Sequence, residues 1–202
     1  MNKLYKKKEL LLLTFLNLLV QCIITRYTMI NASKEKKSIW FKIGLFLLQL
    51  AFIFIMLMPI PILLKFMCFC IFSITFGITL ASLNLNDTFI QIAFYGTMSI
   101  FGIMAVLGAI LSTFNVDLGP KIGIGLFYSL LGLILFGLFN IITGNNLHKL
   151  FSILGILLFS IYILYDTNQI VQRDYKGDFI AASLDYYLDI LNLLLNLLSF
   201  NQ

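Results

Sequence analysis

Residues 43–83 read IGLFLLQLAFIFIMLMPIPILLKFMCFCIFSITFGITLASL and contain one charged side chain, Lys65. Two apolar runs meet there at Pro59 and Pro61. Proline lacks an amide donor and clashes with the preceding turn, so MPIP predicts two helices rather than one long one. Each run is long enough to cross a bilayer, where only structures that satisfy their own backbone groups survive. Extending the window from Ile43 to Val116 adds just one more charge, Asp87. The 202-residue chain is 60% hydrophobic and 11% charged. Soluble domains carry about 25% charged residues. The class is therefore an integral membrane protein.

At roughly 20 residues per span plus short loops, the length suits seven transmembrane helices in an all-α fold. The apolar runs place them at about 10–30, 40–58, 62–83, 89–114, 121–143, 148–170 and 179–200. They form a single transmembrane domain over residues 1–202, with no segment polar enough for a separate soluble domain. LNLNDT, NVDLGPK, TGNNLHK and RDYKGD are the later connections, with Pro120 placed to open the fifth helix. The basic start followed by LLLLTFLNLLV resembles a signal peptide. It runs on to Ile30 without a small-residue cleavage site, so a retained first helix is expected.

The net charge of +5 does not point to nucleic acid. Ten of the fourteen Lys and Arg residues precede Phe66 and mostly flank the first two apolar runs, as membrane helices require. With the N-terminus inside, Lys3, Lys6, Lys7, Lys8, Lys65, Lys121, Arg173 and Lys176 lie inside. Arg26, Lys34, Lys36, Lys37, Lys42 and Lys149 lie outside. The balance favours that orientation. Cys22, Cys68 and Cys70 all sit in apolar runs and read as small buried hydrophobes, not as a disulfide or metal site. The glycines and alanines gathered in helices four and five, from Gly96 to Gly137, read as close helix packing.

The polar residues inside these spans carry the functional information. Asp185, Asp189, Asn192 and Asn196 repeat at spacings of 4, 3 and 4, which places them on one face of the last helix. Tyr162, Asp166, Gln169 and Arg173 repeat the pattern on the sixth, and Thr14, Asn17, Gln21 and Thr25 form a stripe on the first. Gln49 is the polar residue of the second. The expected arrangement is a polar centre on helices six and seven, closed by one and two. Asparagine and glutamine bridge membrane helices by hydrogen bonds, which is the reading for Asn17, Gln21, Gln49, Asn192 and Asn196. Asp166 and Asp189 differ. A neutral amide would join helices at lower cost, so a carboxylate at membrane depth marks function. Asp185 is nearer the loop, and Asp174 and Asp178 read as loop charges. Two carboxylates meeting in low dielectric cannot easily both ionise, so the pair titrates as a unit. A shared proton would tie the two helices; its loss would leave repelling anions and a site for a hard cation.

These residues also resemble a known family. SIYILYDTNQI is similar to the tyrosine–aspartate signature of the transmembrane Bax-inhibitor-motif family, which includes Bax inhibitor, Lifeguard and Golgi anti-apoptotic proteins and bacterial calcium-leak homologues. SLDYYLDILNLLLNLLSF resembles its final helix, KFMCFCIFSITFGITLASL its third, and STFNVDLG its turn after the fourth. The resemblance implies a seven-helix fold with the C-terminal helix central, and passive calcium leak regulated by pH. It puts the family's paired aspartates on Asp166 and Asp189, as proton sensor, ion path and transient calcium ligands. Asp185, Asn192, Asn196, Tyr162, Gln169 and Gln49 would be the supporting polar residues. The chain departs from bacterial relatives near Pro59, where they carry a basic residue; Lys65 is the nearest cation.

The expected function is a pH-sensitive calcium leak channel with a role in calcium homeostasis and cell-death suppression. It requires no cofactor and no enzymatic step, with calcium as the permeant ion and the bilayer as the main partner. An anti-apoptotic protein acting through membrane-protein partners is the alternative. An intramembrane aspartyl protease fits less well, because Tyr186-Tyr187-Leu188 precedes Asp189 where a Gly-x-Gly would stand. The membrane would be a bacterial plasma membrane or, in a eukaryotic or viral setting, endoplasmic reticulum or Golgi.

Overall fold

A computed structural model describes residues 7–33, 37–83, 86–144, 147–172, 175 and 177–200, the Asp87 side chain excepted. Lys3, Lys6, Lys34, Lys36, Arg173, Asp174 and Lys176, which figured in the charge and stripe readings, lie outside the described residues. The described residues form seven helices: α1 Lys8–Asn31, α2 Ile39–Leu57, α3 Ile62–Ala81, α4 Asp87–Thr113, α5 Gly119–Thr143, α6 His148–Gln172 and α7 Phe179–Phe200. All seven are long and apolar enough to cross a membrane. The shortest has 19 residues, which at 1.5 Å per residue is close to the roughly 30 Å of a hydrocarbon core.

Local chemistry fixes the ends. Ser38 caps α2 by accepting the Phe41 amide at 3.2 Å. Pro61 stands at the N-cap of α3, and Pro120 lies in the first turn of α5. Gly144 closes α5 in the left-handed conformation (φ 65°), where a side chain would be strained.

The chain divides into two compact units. The first holds α1 from Glu9, then α2, α3 and α7 up to Tyr187; the second holds α4, α5, α6 and α7 from Leu188. In the first unit α2 packs on α3. Its core is aromatic: Tyr187 meets Phe69 and Phe72 edge-on, with centroids 5.1 and 5.8 Å away. Gly77 lets α3 approach α1 closely, since a Cβ there would lie 2.6 Å from the Thr25 carbonyl oxygen. In the second unit α6 packs on both α4 and α5. Ala105, Leu126, Leu133, Phe159, Ile163 and Leu193 are among its buried core. Gly108 is its point of closest approach: a Cβ there would lie 2.5 Å from the Leu164 carbonyl oxygen. The small-residue stripe is not uniform packing, because a Cβ added at Gly102, Gly125 or Gly132 would meet nothing within 4 Å. The three cysteines are free thiols.

Polar residues of α1 knit the first unit. Asn17 donates to Ser183 Oγ, and Gln21 donates to Asn17 Oδ1 at 3.1 Å. Ser73 donates to Gln21 Oε1 at 2.8 Å. Thr25 is bonded to the Tyr187 hydroxyl. All are buried. This revises the expected use of the α1 stripe. Its partners on α7, Ser183 and Tyr187, are each two residues from Asp185. Two residues along an α-helix turn about 200°, so within the first unit these partners leave α7 on nearly the opposite face from Asp185.

Candidate ion-path site

The two aspartates lie in the second unit. Asp189 is 5% exposed, inside a helix that is the most buried of the seven. Asp166 is half-buried on α6. The Tyr162 hydroxyl, one turn before Asp166, lies in one neighbourhood with both carboxylates. Tyr162 is oriented by its ring, which stacks on Phe159 at 5.9 Å. Among the described residues no three His, Cys, Asp or Glu side chains gather as metal ligands. A cation here would meet a carboxylate pair, well short of the six to eight oxygens of a calcium cage.

The supporting residues behave in different ways. Asn192 donates to the Leu188 carbonyl at 2.9 Å, and Asn196 donates to the Asn192 carbonyl at 2.8 Å. Both amide groups thus bond back along α7 rather than across to a neighbour. The Asn196 amide occupies the place where a Gly155 side chain would stand, so α6 needs glycine there. Both asparagines also wall a cavity of about 540 Å³ between α5, α6 and the end of α7, opposite Leu133 and Phe159. Asp185 accepts a hydrogen bond from the Tyr175 hydroxyl at 3.0 Å. Gln49 donates to Thr79 at 2.9 Å within the first unit.

Gln169 is 4% exposed and donates to Asp117 Oδ1 at 3.3 Å, which fastens α6 to the turn before α5. Its neighbour Asn168 does more of this and escaped the stripe reading. Asn168 is fully buried and donates to Ser112 Oγ at 3.0 Å and to the Val116 carbonyl at 2.8 Å. Its own carbonyl accepts the Leu118 amide at 3.1 Å. Asp117 accepts the Gly119 amide at 2.8 Å in the same turn, where Asn115 and Gly119 take positive φ. The signal was present in the sequence: Asp166, Thr167, Asn168 and Gln169 are consecutive, and at about 100° each they cannot share one face. One must serve another neighbour, and Asn168 serves the NVDLG turn.

Two charges outside the pair, Lys65 and Asp178, meet each other. Lys65 is 5% exposed, and its ammonium lies 2.5 Å from Asp178 Oδ2 in the first unit. Asp178 is no free loop charge. Its Oδ1 accepts the Ala181 amide at 3.0 Å, so it caps α7.

Comparison with known proteins shows the family of the chain. The family described as "Inhibitor of apoptosis-promoting Bax1" matches residues 7–201. The Golgi anti-apoptotic protein of Vaccinia virus (strain Lister) is 43% identical over 79 residues, 39% of this chain and 33% of that protein. Protein lifeguard 4 of Mus musculus is 30% identical over 123 residues, 54% of this chain and 52% of its own length. Protein LIFEGUARD 1 of Arabidopsis thaliana is 36% identical over 75 residues, 36% of this chain and 32% of that protein. The chain thus spans from about a third to about half the length of these curated relatives. With the family matched along nearly all of its length and seven helices fit to cross a bilayer, the chain belongs to the family of inhibitors of apoptosis-promoting Bax1 and is a multi-pass integral membrane protein.

Proposed function

We propose that the chain is a pH-sensitive calcium leak gated by Asp166 and Asp189. One observation carries the reading: a carboxylate only 5% exposed, Asp189, on a membrane-spanning helix, in a neighbourhood shared with Asp166 and Tyr162. With one proton shared, the pair ties α6 to α7. As pH rises through the titration of the pair the proton leaves, the anions repel, and their oxygens can receive a hard cation. As pH falls the tie re-forms and flux stops. Two carboxylates hold calcium weakly, which suits passage rather than storage. The test is calcium flux into dye-loaded liposomes across a pH series. Asp166→Asn and Asp189→Asn should each abolish the pH dependence and lower flux by roughly tenfold, the scale of losing one charged ligand. Unchanged flux and pH profile in both variants would sink the mechanism.

The family description and the names of the relatives favour a role in restraining cell death, which a leak that lowers stored calcium would supply. A second reading, suppression through a protein partner, separates cleanly. If Asp189→Asn abolishes flux yet still protects cells, the partner reading replaces the leak. Neither reading involves catalysis; cleavage of a model membrane substrate that is lost in Asp166→Asn would require one.

A further inference from the structure

The ion pair between buried Lys65 and half-buried Asp178 has no place in the mechanism above. Lys65 lies in the first turn of α3, where the positive end of the helix dipole disfavours a cation. At 5% exposure its charge needs a partner, and Asp178 supplies it at 2.5 Å. Asp178 is well placed for an anion, at the start of α7, with its second oxygen on the Ala181 amide. One carboxylate therefore does two things: it caps α7 and joins that cap to the start of α3.

We propose that Lys65 and Asp178 form a latch that holds the first turns of α7 in place, and that its release lets α7 shift when the leak increases. The second half of this proposal rests on the leak reading. Lys65 and Asp178 are then positioning residues, acting through the helix that carries Asp189 eleven residues further on.

The test compares Lys65→Met, Asp178→Asn and the double variant in the full-length protein in nanodiscs. Asp178→Asn strands the buried Lys65 ammonium and should lower thermal stability most; Lys65→Met leaves a half-buried carboxylate that still caps α7 and should lower it less. The double variant removes both charges together and keeps an N-cap side chain in asparagine, so it should recover much of that loss. Hydrogen–deuterium exchange across residues 179–187 should be about tenfold faster in the double variant, because the start of α7 opens locally. Unchanged exchange would overturn the latch, whether or not the protein conducts. In liposomes the double variant should leak about threefold faster at the low-pH end of the series, as expected for a modest population shift. Faster exchange with unaltered flux, in a protein whose wild type conducts, would overturn the gating half. A wild type that carries no calcium while exchange still rises would refute the leak and leave the latch as a tie on α7.

Discussion

The two compact units use buried polar side chains to different extents. In the first, Asn17, Gln21, Ser73, Thr25, Tyr187 and Ser183 are bonded to one another across α1, α3 and the first half of α7. In the second, the amides of Asn192 and Asn196 return to their own helix, and neither amide atom of Asn140 has a partner among the described residues. Both units have one tight glycine contact, Gly77 on the Thr25 carbonyl in the first and Gly108 on the Leu164 carbonyl in the second. In the first unit a side-chain network spans three helices, whereas in the second the inter-helix bonds centre on Asn168 and Gln169 at one end of α6. The second unit is also the one that holds Asp166 and Asp189.

The sharpest way to break this contrast is at Gly108. If packing holds the second unit, Gly108→Val should destabilise it by about 3 kcal/mol or more, because a backbone carbonyl cannot step aside. Thermal denaturation in detergent would show it, and a near-native melting point would refute the packing account. Asn168→Leu comes next. It is the exception in its unit, and its loss orphans the Leu118 amide and the Val116 carbonyl, at about 2 kcal/mol. Gln21→Leu should cost about 1 kcal/mol, since hydrogen bonds between membrane helices are individually modest, and it should leave flux untouched. A large flux change would mean that the first unit is more than scaffold. The smallest effect is expected at Asn140→Leu, neutral or stabilising by under about 1 kcal/mol, because it removes an amide that satisfies nothing. Clear destabilisation there would show that Asn140 holds a water or a ligand.

The helices were legible because hydropathy and punctuation agree. The MPIP break, Pro120 and Gly144 each fall where the structure ends or begins an element. The aspartates were legible because the membrane makes a carboxylate conspicuous. What periodicity does not carry is the identity of the facing partner. Lys65 and Asp178 are 113 positions apart, and nothing in either local pattern joins them. The α1 stripe was visible, but not which face of α7 it meets. Asn192 and Asn196 share a helix face by their spacing, yet a side chain that can reach its own helix four residues back needs no neighbour.

The bond between Asn17 and Ser183 closes a separation of 166 residues. During synthesis α1 enters the membrane with only the bond from Gln21 to Asn17 within its own helix, and Ser73 reaches Gln21 when α3 follows. Ser183, which accepts from Asn17, emerges roughly ten to thirty seconds after Asn17 at ordinary elongation rates. Throughout that interval the first helix is poorly suited to lipid on one side. The insertion machinery, or another polar helix, must shield it until α7 arrives, so truncation before Ser183 should leave α1 a target for membrane quality control.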